Sequence, residues 1–417
     1  MSITSTEPAS KSESGVLLVA TMDTKGKEAL YLESCIKGQG ISVFILDAGI
    51  RSKSPYPVSI CREEVARAGG KSLHEVQRIG NEGNALEVMT TGAIRCAKSL
   101  CSEGKIGGII GLGGSMGTTL GTGVMRAFPI GFPKVMISTM ASRDTRPFVG
   151  TKDIVMVHSV CDLSGINRIT QKVLRNGALA IAGMVRKDDT VYASSEKPLV
   201  ALSTLSTTDA CAAKVRESLE ELGNEVVTFH TVGSGGEAKE ELIEQGEADA
   251  VVDLSLHEIA DHFFGGDYDA GPGRGKAALQ RGIPAVLVPG NLDFLATGPL
   301  HEAKRRFPGR RYHVHNSAIT LVRTEKDEIV QLARILAGLC NAAKGPLSIL
   351  LPLGGFSVLD AQEGPFYDPE APQLFADTMK KALRTDVQLL TLPYHVNDPD
   401  FAMEIVQSLT KLSELIA

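Results

Sequence analysis

Tryptophan is absent from this 417-residue chain, and aromatic residues account for only 5% of it. No apolar stretch approaches the roughly 18 residues of a membrane span, so no membrane partner is expected. Neither charge sign dominates: 43 Lys and Arg face 49 Asp and Glu, a formal net charge of −6. Mild acidity spread along the chain excludes the basic stripe that a nucleic-acid surface needs. Cysteine is sparse and scattered. Cys35, Cys61, Cys96, Cys101, Cys161, Cys211 and Cys340 form no CxxC pair and no Cys/His ligand run, which suits reduced thiols in a cytoplasm rather than a disulfide frame. Residues 1–15 are rich in Ser and Thr and carry no apolar segment of a signal peptide, so they read as a disordered tail. What is plentiful is glycine, 43 residues, in a composition that is 43% hydrophobic and 22% charged. That balance is globular, and because a single core stops growing near about 250–300 residues, two domains are the default.

From residue 16 onward, short apolar runs alternate with helical periodicity. The runs 16–20, 41–47, 106–112, 135–139 and 154–158 read as strands, with helices at 27–37 and 166–182 among them. Runs buried on both faces suit a parallel sheet covered by helices. A polar segment at 185–199 marks a boundary, after which the pattern restarts. LLVATMDTKG at 17–26 parallels VALSTLSTTD at 200–209, Gly40 falls opposite Gly223, and GFPKVMISTMAS at 131–142 parallels GIPAVLVPGNLD at 282–293. A strand ending in His, at His158 and again at His315, follows each of the latter pair. Four matches in the same order favour duplication. Further elements are a helix at 326–343, a strand at 346–352, a helix at 371–384, a strand at 386–392 and a final helix. The expected fold is α/β: two Rossmann-like doubly wound parallel-sheet domains, 16–190 and 191–417. A cleft between them would receive ligands at strand C-terminal ends.

The strongest local signal is GGIIGLGGSMGTTLGTG at 107–123, a strand, a glycine loop and a small-residue helix. Gly113, Gly114 and Gly117 would let backbone N–H groups approach an anion, with Ser115 and Thr118 adding hydroxyls and the helix its positive end. The spelling is neither GxGxxG nor GxxxxGK[ST], which counts against an NAD enzyme and a P-loop ATPase. The competing reading is that these glycines only permit close strand–helix packing. Thr21, Asp23, Thr24 and Lys25 lie where the first strand ends; Asp23 would hold Mg²⁺ or cap a helix, and Lys25 would neutralise phosphate. Asp47 stands where a doubly wound fold places a ribose-binding acid, or is a turn residue before Gly49. Ser138, Thr139, Ser159, Gly165 and Asn167 fall at later strand ends along the same edge, with Ser164 as cap of the helix that follows. None of the phosphate loops is aromatic, so recognition would rest on amides, hydroxyls and charge.

TMDTKGKE, GLGGSMGT, STMAS and HSVCDLSGIN, in this order, resemble the largely uncharacterised family named after the ATP-binding domain of the tomato mosaic virus resistance protein. AGPGR, VPGNLD, HN, LDAQEGPFYDPEA and HVNDPDFA match that family's later motifs, so the resemblance covers about 16–416. It implies ATP binding by the N-terminal half, two Rossmann-like domains and homodimers, with no catalysed reaction settled. The resemblance implies no counterpart here of the TIM-barrel-like domain fused to some relatives.

The C-terminal half carries acids. Asp360, Glu363, Asp368, Glu370 and Asp398 crowd the last 60 residues beside His395. Asp368, Glu370 and His395 are the candidate catalytic groups, although Asp368 and Glu370 would equally favour the start of a helix. Phe366 is placed to fill a pocket between domains. Arg274, Gly290, Asp293, His315, Asn316 and Asp360 are the candidate substrate contacts, Arg274 as an anion fork. GSGG at 233–236 is a second anion loop or a turn. His257 and His262 imitate a zinc-protease helix at the wrong spacing, i to i+5, and His313 and His315 share a strand face, so no zinc site is assigned. These residues together suggest an ATP·Mg²⁺-dependent enzyme acting on a small polar metabolite, or a nucleotide-dependent regulatory protein whose dimerisation responds to ATP.

Overall fold

The computed structural model describes residues 14–186 and 196–414, and the chain divides into two compact units, 1–192 and 193–417. Most of the expected tail and the expected boundary at 190/191 lie outside the described residues. Gly15, assigned to the tail, already opens the first strand.

In the N-terminal unit the strands are β1 (Gly15–Ala20), β2 (Val43–Asp47), β3 (Ile106–Gly113), β4 (Lys134–Ser138) and β5 (Val155–His158). They form one parallel sheet in the order β2-β1-β3-β4-β5. The apolar runs are continuous because both faces are covered. Along β1, Val16, Leu18 and Ala20 pack with the helices Met22–Lys37 and Arg168–Val185, while Leu17 and Val19 face the core that includes helix Glu82–Ser102. Each such side chain contributes about 1.5–3 kcal/mol when fully buried, so Leu18→Asp would cost the sheet its centre. The chain runs out from β1 to β2 on one side and back to β3 on the other. The ends of β1 and β3 therefore meet at the switch point, where an open α/β sheet leaves a crevice.

The C-terminal unit repeats this order with one strand more. Its strands are β6 (Leu199–Thr204), β7 (Glu225–His230), β8 (Ala250–Ser255) and β9 (Ala285–Gly290), then β10 (Phe294–Thr297), β11 (Tyr312–Val314) and β12 (Thr320–Arg323), and finally β13 (Leu347–Pro352) and β14 (Gln388–Leu392). Six are parallel, ordered β14-β13-β9-β8-β6-β7. Val200, Leu202, Val252 and Leu254 point to one face, and Ala201, Val251, Ala285 and Leu287 to the other. The paired segments at 131–142 and 282–293 supply the fourth strand of each sheet, β4 and β9. Gly40 and Gly223 both adopt positive φ, +82° and +90°, at the turn into the second strand.

The strand-with-His match fails. β5 is a parallel edge strand of the first sheet, whereas β11 belongs to a separate antiparallel sheet, β10-β12-β11. Phe366 is fully buried with Leu205, Phe294, Ala296, Leu321 and Leu359 inside the C-terminal unit, and so fills that unit's own core.

Candidate functional site

At the β1/β3 switch point a hollow of about 370 Å³ opens beside the glycine loop. Thr21, Asp23 and Thr24 form one wall, Met116 another, and Ala48, Ile50, Val76, Ile79, Ala85 and Leu86 an apolar floor edged by Arg51, Gln77 and Glu82. The size falls within the range of about 300–1,000 Å³ usual for small-ligand sites. Sequence reasoning missed the floor, which is contributed by the long excursion between β2 and β3. Its signals were the Ser72/Glu75 capping box and the Asn81 cap, which start two of the helices that build it.

The glycine loop does two jobs. A Cβ on Gly113 would lie 2.7 Å from Gly117 Cα, so this pair exists to bring β3 and helix Ser115–Arg126 together. Gly114 is different: its backbone is extended and a Cβ there meets nothing nearer than Thr139 Oγ1 at 3.8 Å. The helix has no side-chain cap. Thr118 N–H donates to Gly114 O at 2.8 Å. Among the described residues nothing accepts from the amides of Ser115, Met116 and Gly117. Three uncommitted donors at a helix N-terminus, beside a hollow, are what an anion requires.

Several predicted contacts hold the site's frame instead. Thr118 Oγ1 is bonded to Gly114 O (2.7 Å) and Ser138 Oγ (2.6 Å), and Ser138 Oγ also accepts from Met140 N–H at 2.9 Å. Asp47 is buried, its Oδ1 accepting from Met22 N–H at 3.0 Å and Gly49 N–H at 2.8 Å. Burial pushes its carboxyl up, against those two amides, and it ties the ends of β1 and β2 together rather than facing a ribose. Asp23 Oδ2 accepts from Arg51 N–H at 3.0 Å, leaving Oδ1 uncommitted among the described residues. Lys25 Nζ donates to Leu163 O, and Glu28, buried and unremarked in the sequence, accepts from Gly165 N–H. Ser159 Oγ donates to Cys161 O at 2.7 Å. Asn167, not Ser164, caps the helix Arg168–Val185, accepting from Ile169 and Thr170 N–H.

In the C-terminal unit the predicted substrate groups are turned inward. Arg274 is only 2% exposed. Its Nη1 and Nη2 fork onto Asp253 at 2.7 Å each, Nε meets Glu258 at 2.6 Å, and the remaining donors reach Glu240 and Ser255 O. All five N–H groups are satisfied, so the fork has nothing to offer a ligand. Lys239 adds a second buried cation on Asp253, at 2.7 Å. Burial alone would raise the Asp253 carboxyl, but Arg274 and Lys239 outweigh it and hold it well below the usual range. The loop 233–236 does bind an anion: Gly233 and Gly236 N–H donate to the chain's own Glu258 at 2.8 and 3.1 Å. Gly290 permits close strand approach, since a Cβ there would lie 2.1 Å from Leu254 O. His315 and Asn316 sit in the exposed β11–β12 turn, where Asn316 Oδ1 accepts from Ala318 and Ile319 N–H.

The three catalytic candidates belong to different contacts. Glu370 pairs with Lys326 at 2.5 Å on the surface, and Asp368 lies 3.8 Å from Arg323. His395 instead joins Asp293 and Asp360. Its Nε2 bonds Ser357 O at 2.8 Å and approaches Asp360 Oδ1 at 3.8 Å. Burial pulls its imidazole down, but Asp360 and the Ser357 carbonyl outweigh that and the net shift is upward. Asp360 accepts from Phe356 and Ser357 N–H, and Ser357 Oγ donates to Asp293 Oδ2 at 2.7 Å. Asp293 Oδ1 is buried without a partner, and burial, with repulsion from Asp360, pushes this carboxyl up to about 7.

Among the described residues no three His, Cys, Asp or Glu side chains gather as a metal site, and no helix is long and apolar enough to cross a membrane.

Residues 14–190 match the N-terminal domain of the uncharacterised protein family UPF0261, and residues 197–413 match its C-terminal domain. A UPF0261 protein of Clostridium tetani is 38% identical over 400 residues, covering 96% of this chain and 99% of its own length. One from Rhizobium meliloti is 34% identical over 389 residues, covering 93% and 96%. The ToMV resistance protein Tm-1(GCR237) of Solanum lycopersicum is 36% identical over 339 residues, 79% of this chain but 45% of the tomato protein. The order of strands, the glycine loop and matches to both domains lead to one conclusion: the chain belongs to the uncharacterised protein family UPF0261.

Proposed function

We propose that the N-terminal unit binds ATP, with the base in the β1/β3 hollow and the phosphates on the amides of Ser115, Met116 and Gly117, and that the protein is a cytoplasmic ATP-dependent enzyme acting on a small polar metabolite. The observation that carries this reading is the set of uncommitted first-turn amides beside a hollow of about 370 Å³ at the switch point. The contrast with the other unit supports it, because there the loop amides at 233 and 236 are already taken by Glu258. Asp23 Oδ1 offers one carboxylate oxygen, and Mg²⁺ binds through one or two carboxylates when phosphates supply the rest.

Thermal melts with ATP, ADP, NAD⁺ and GTP, each with Mg²⁺ or with chelator, test the reading. A ligand at about 100 times its Kd adds roughly 2.7 kcal/mol, a shift of about 5–10 °C at roughly 2–4 °C per kcal/mol. A flat ATP trace would remove it. A second reading, a nucleotide-dependent regulatory protein whose dimerisation responds to ATP, is favoured by the engagement of Asp368, Glu370 and His395 in separate contacts with Arg323, Lys326 and Ser357. It predicts an ATP-linked change of assembly, seen by analytical ultracentrifugation, with negligible ATP turnover across a metabolite panel.

A further inference from the structure

A second hollow, about 380 Å³, lies at the ends of β4 and β5 and is lined by Thr139, His158, Ser159, Val160, Cys161 and Asp162. It adjoins the glycine loop. Thr139 N–H donates to Gly113 O at 3.3 Å, and Thr139 Oγ1 is the nearest atom to a Cβ placed on Gly114. The first hollow reaches the same loop through Met116. A ligand held on the first-turn amides thus has a hollow on either side.

The chain holds this wall in a conformation with a conformational cost. Val160, β-branched and 66% exposed, adopts a φ of +67°. Cys161 N–H donates to Ser159 O at 2.7 Å across it, closing a three-residue turn, and the buried Ser159 hydroxyl clamps Cys161 O. Such strain costs on the order of 1–3 kcal/mol and persists where the surroundings fix it. The loop behind the turn is fastened to helix Met22–Lys37 by Lys25 on Leu163 O and Glu28 on Gly165 N–H. Both hollows therefore share a frame that starts at the end of β1.

His158 and Asp162 are exposed and Thr139 and Cys161 half-buried on this wall, and among the described residues no protein group takes up their hydroxyl, ring, thiol or carboxylate. The lining includes one acid and neither Lys nor Arg. An anionic ligand there would meet Asp162 and the phosphates next door, with like charges on both sides. The geometry points to the β4/β5 hollow as a second subsite, taking an uncharged polyol whose hydroxyls bond Thr139, His158 and Asp162. This deepens the nucleotide reading and rests on it for the identity of the neighbouring ligand.

Cys161 lies in the wall and reports on occupancy without any turnover. Iodoacetamide labelling of the full chain, read by peptide mass spectrometry, gives its rate, with Cys61, on the other side of the unit's sheet order, as the internal control. Glycerol, ribitol and myo-inositol are compared with glycerate, ribonate and glucuronate, in the presence of ADP·Mg²⁺. Polyols should slow Cys161 labelling at least fivefold while the acids leave it unchanged, and Asp162→Asn should bring the two sets together. Equal protection by polyols and acids, or protection by neither, overturns the assignment. A thermal shift with ADP in that same sample shows separately whether the nucleotide reading survives.

Discussion

Asp293 offers a quantitative test of how the C-terminal unit is held together. Its carboxyl is buried, one oxygen is bonded to Ser357, the other has no partner, and Asp360 lies close enough to repel it. The folded protein therefore keeps this acid protonated up to about 7, whereas the unfolded chain releases the proton near the ordinary 3.8. Between those values the native state binds more protons than the unfolded state, so stability falls as pH rises and levels off above about 7. At about 1.36 kcal/mol per pH unit, the full window corresponds to roughly 4 kcal/mol. Asp293→Asn keeps the shape and removes the titration. Urea unfolding followed by circular dichroism at pH 5, 6, 7 and 8 covers the upper two units of that window and should show the wild type losing stability relative to the variant by about 3 kcal/mol. Hydrogen exchange across 285–297 assigns the transition to this unit. His395, Glu258 and Asp261, a buried acid that accepts from the Tyr268 and Ala296 N–H groups, also titrate with raised values, but they are common to both proteins and largely cancel in the difference. An identical pH slope in the two proteins would refute a protonated Asp293.

Arg274→Gln leaves Asp253, Glu240 and Glu258 with Lys239 as their remaining buried cation, and should cost about 3–5 kcal/mol in urea unfolding; a change below about 1 kcal/mol would mean the cluster is not held by charge pairing. Gly113→Ala places a Cβ 2.7 Å from Gly117 Cα and should destabilise the N-terminal unit by about 1–3 kcal/mol. A neutral result would show that β3 and the helix are not in tight contact. Val160→Gly relieves the +67° φ at an exposed position and should raise stability by about 1 kcal/mol after the glycine's extra chain entropy. A lower melting temperature would contradict the strained turn.

The parallel sheets were legible because β1, β3, β8 and β9 are apolar on both faces, and that pattern survives without knowledge of their partners. The register of the duplication was legible through Gly40 and Gly223, where the turn demands a left-handed backbone. The β10-β12-β11 sheet was not: β11 is three residues long and its His315 imitated the end of β5. In the site, the glycine loop and the Thr21 to Thr24 turn could be read because backbone amides at strand ends need small neighbours. The burial of Arg274 could not, since a buried fork and a ligand-binding fork have the same local sequence. Its partners Glu240, Asp253 and Glu258 come from three separate elements. The floor of the first hollow was equally hidden, because Val76, Ile79 and Leu86 look like ordinary helix core until the ends of β1 and β2 are placed over them.

The most direct test of nucleotide binding compares the wild type with Gly114→Leu by calorimetric titration with ATP·Mg²⁺. The Gly114 backbone is extended and accepts a side chain, the nearest contact to a Cβ being 3.8 Å away, so the variant should fold normally. Its larger side chain should screen the amides of Ser115, Met116 and Gly117. The prediction is saturable one-site binding to the wild type and a loss of at least tenfold in affinity, about 1.4 kcal/mol, in a variant with an unchanged melting temperature. No binding to the wild type, or equal binding to both proteins, would contradict it.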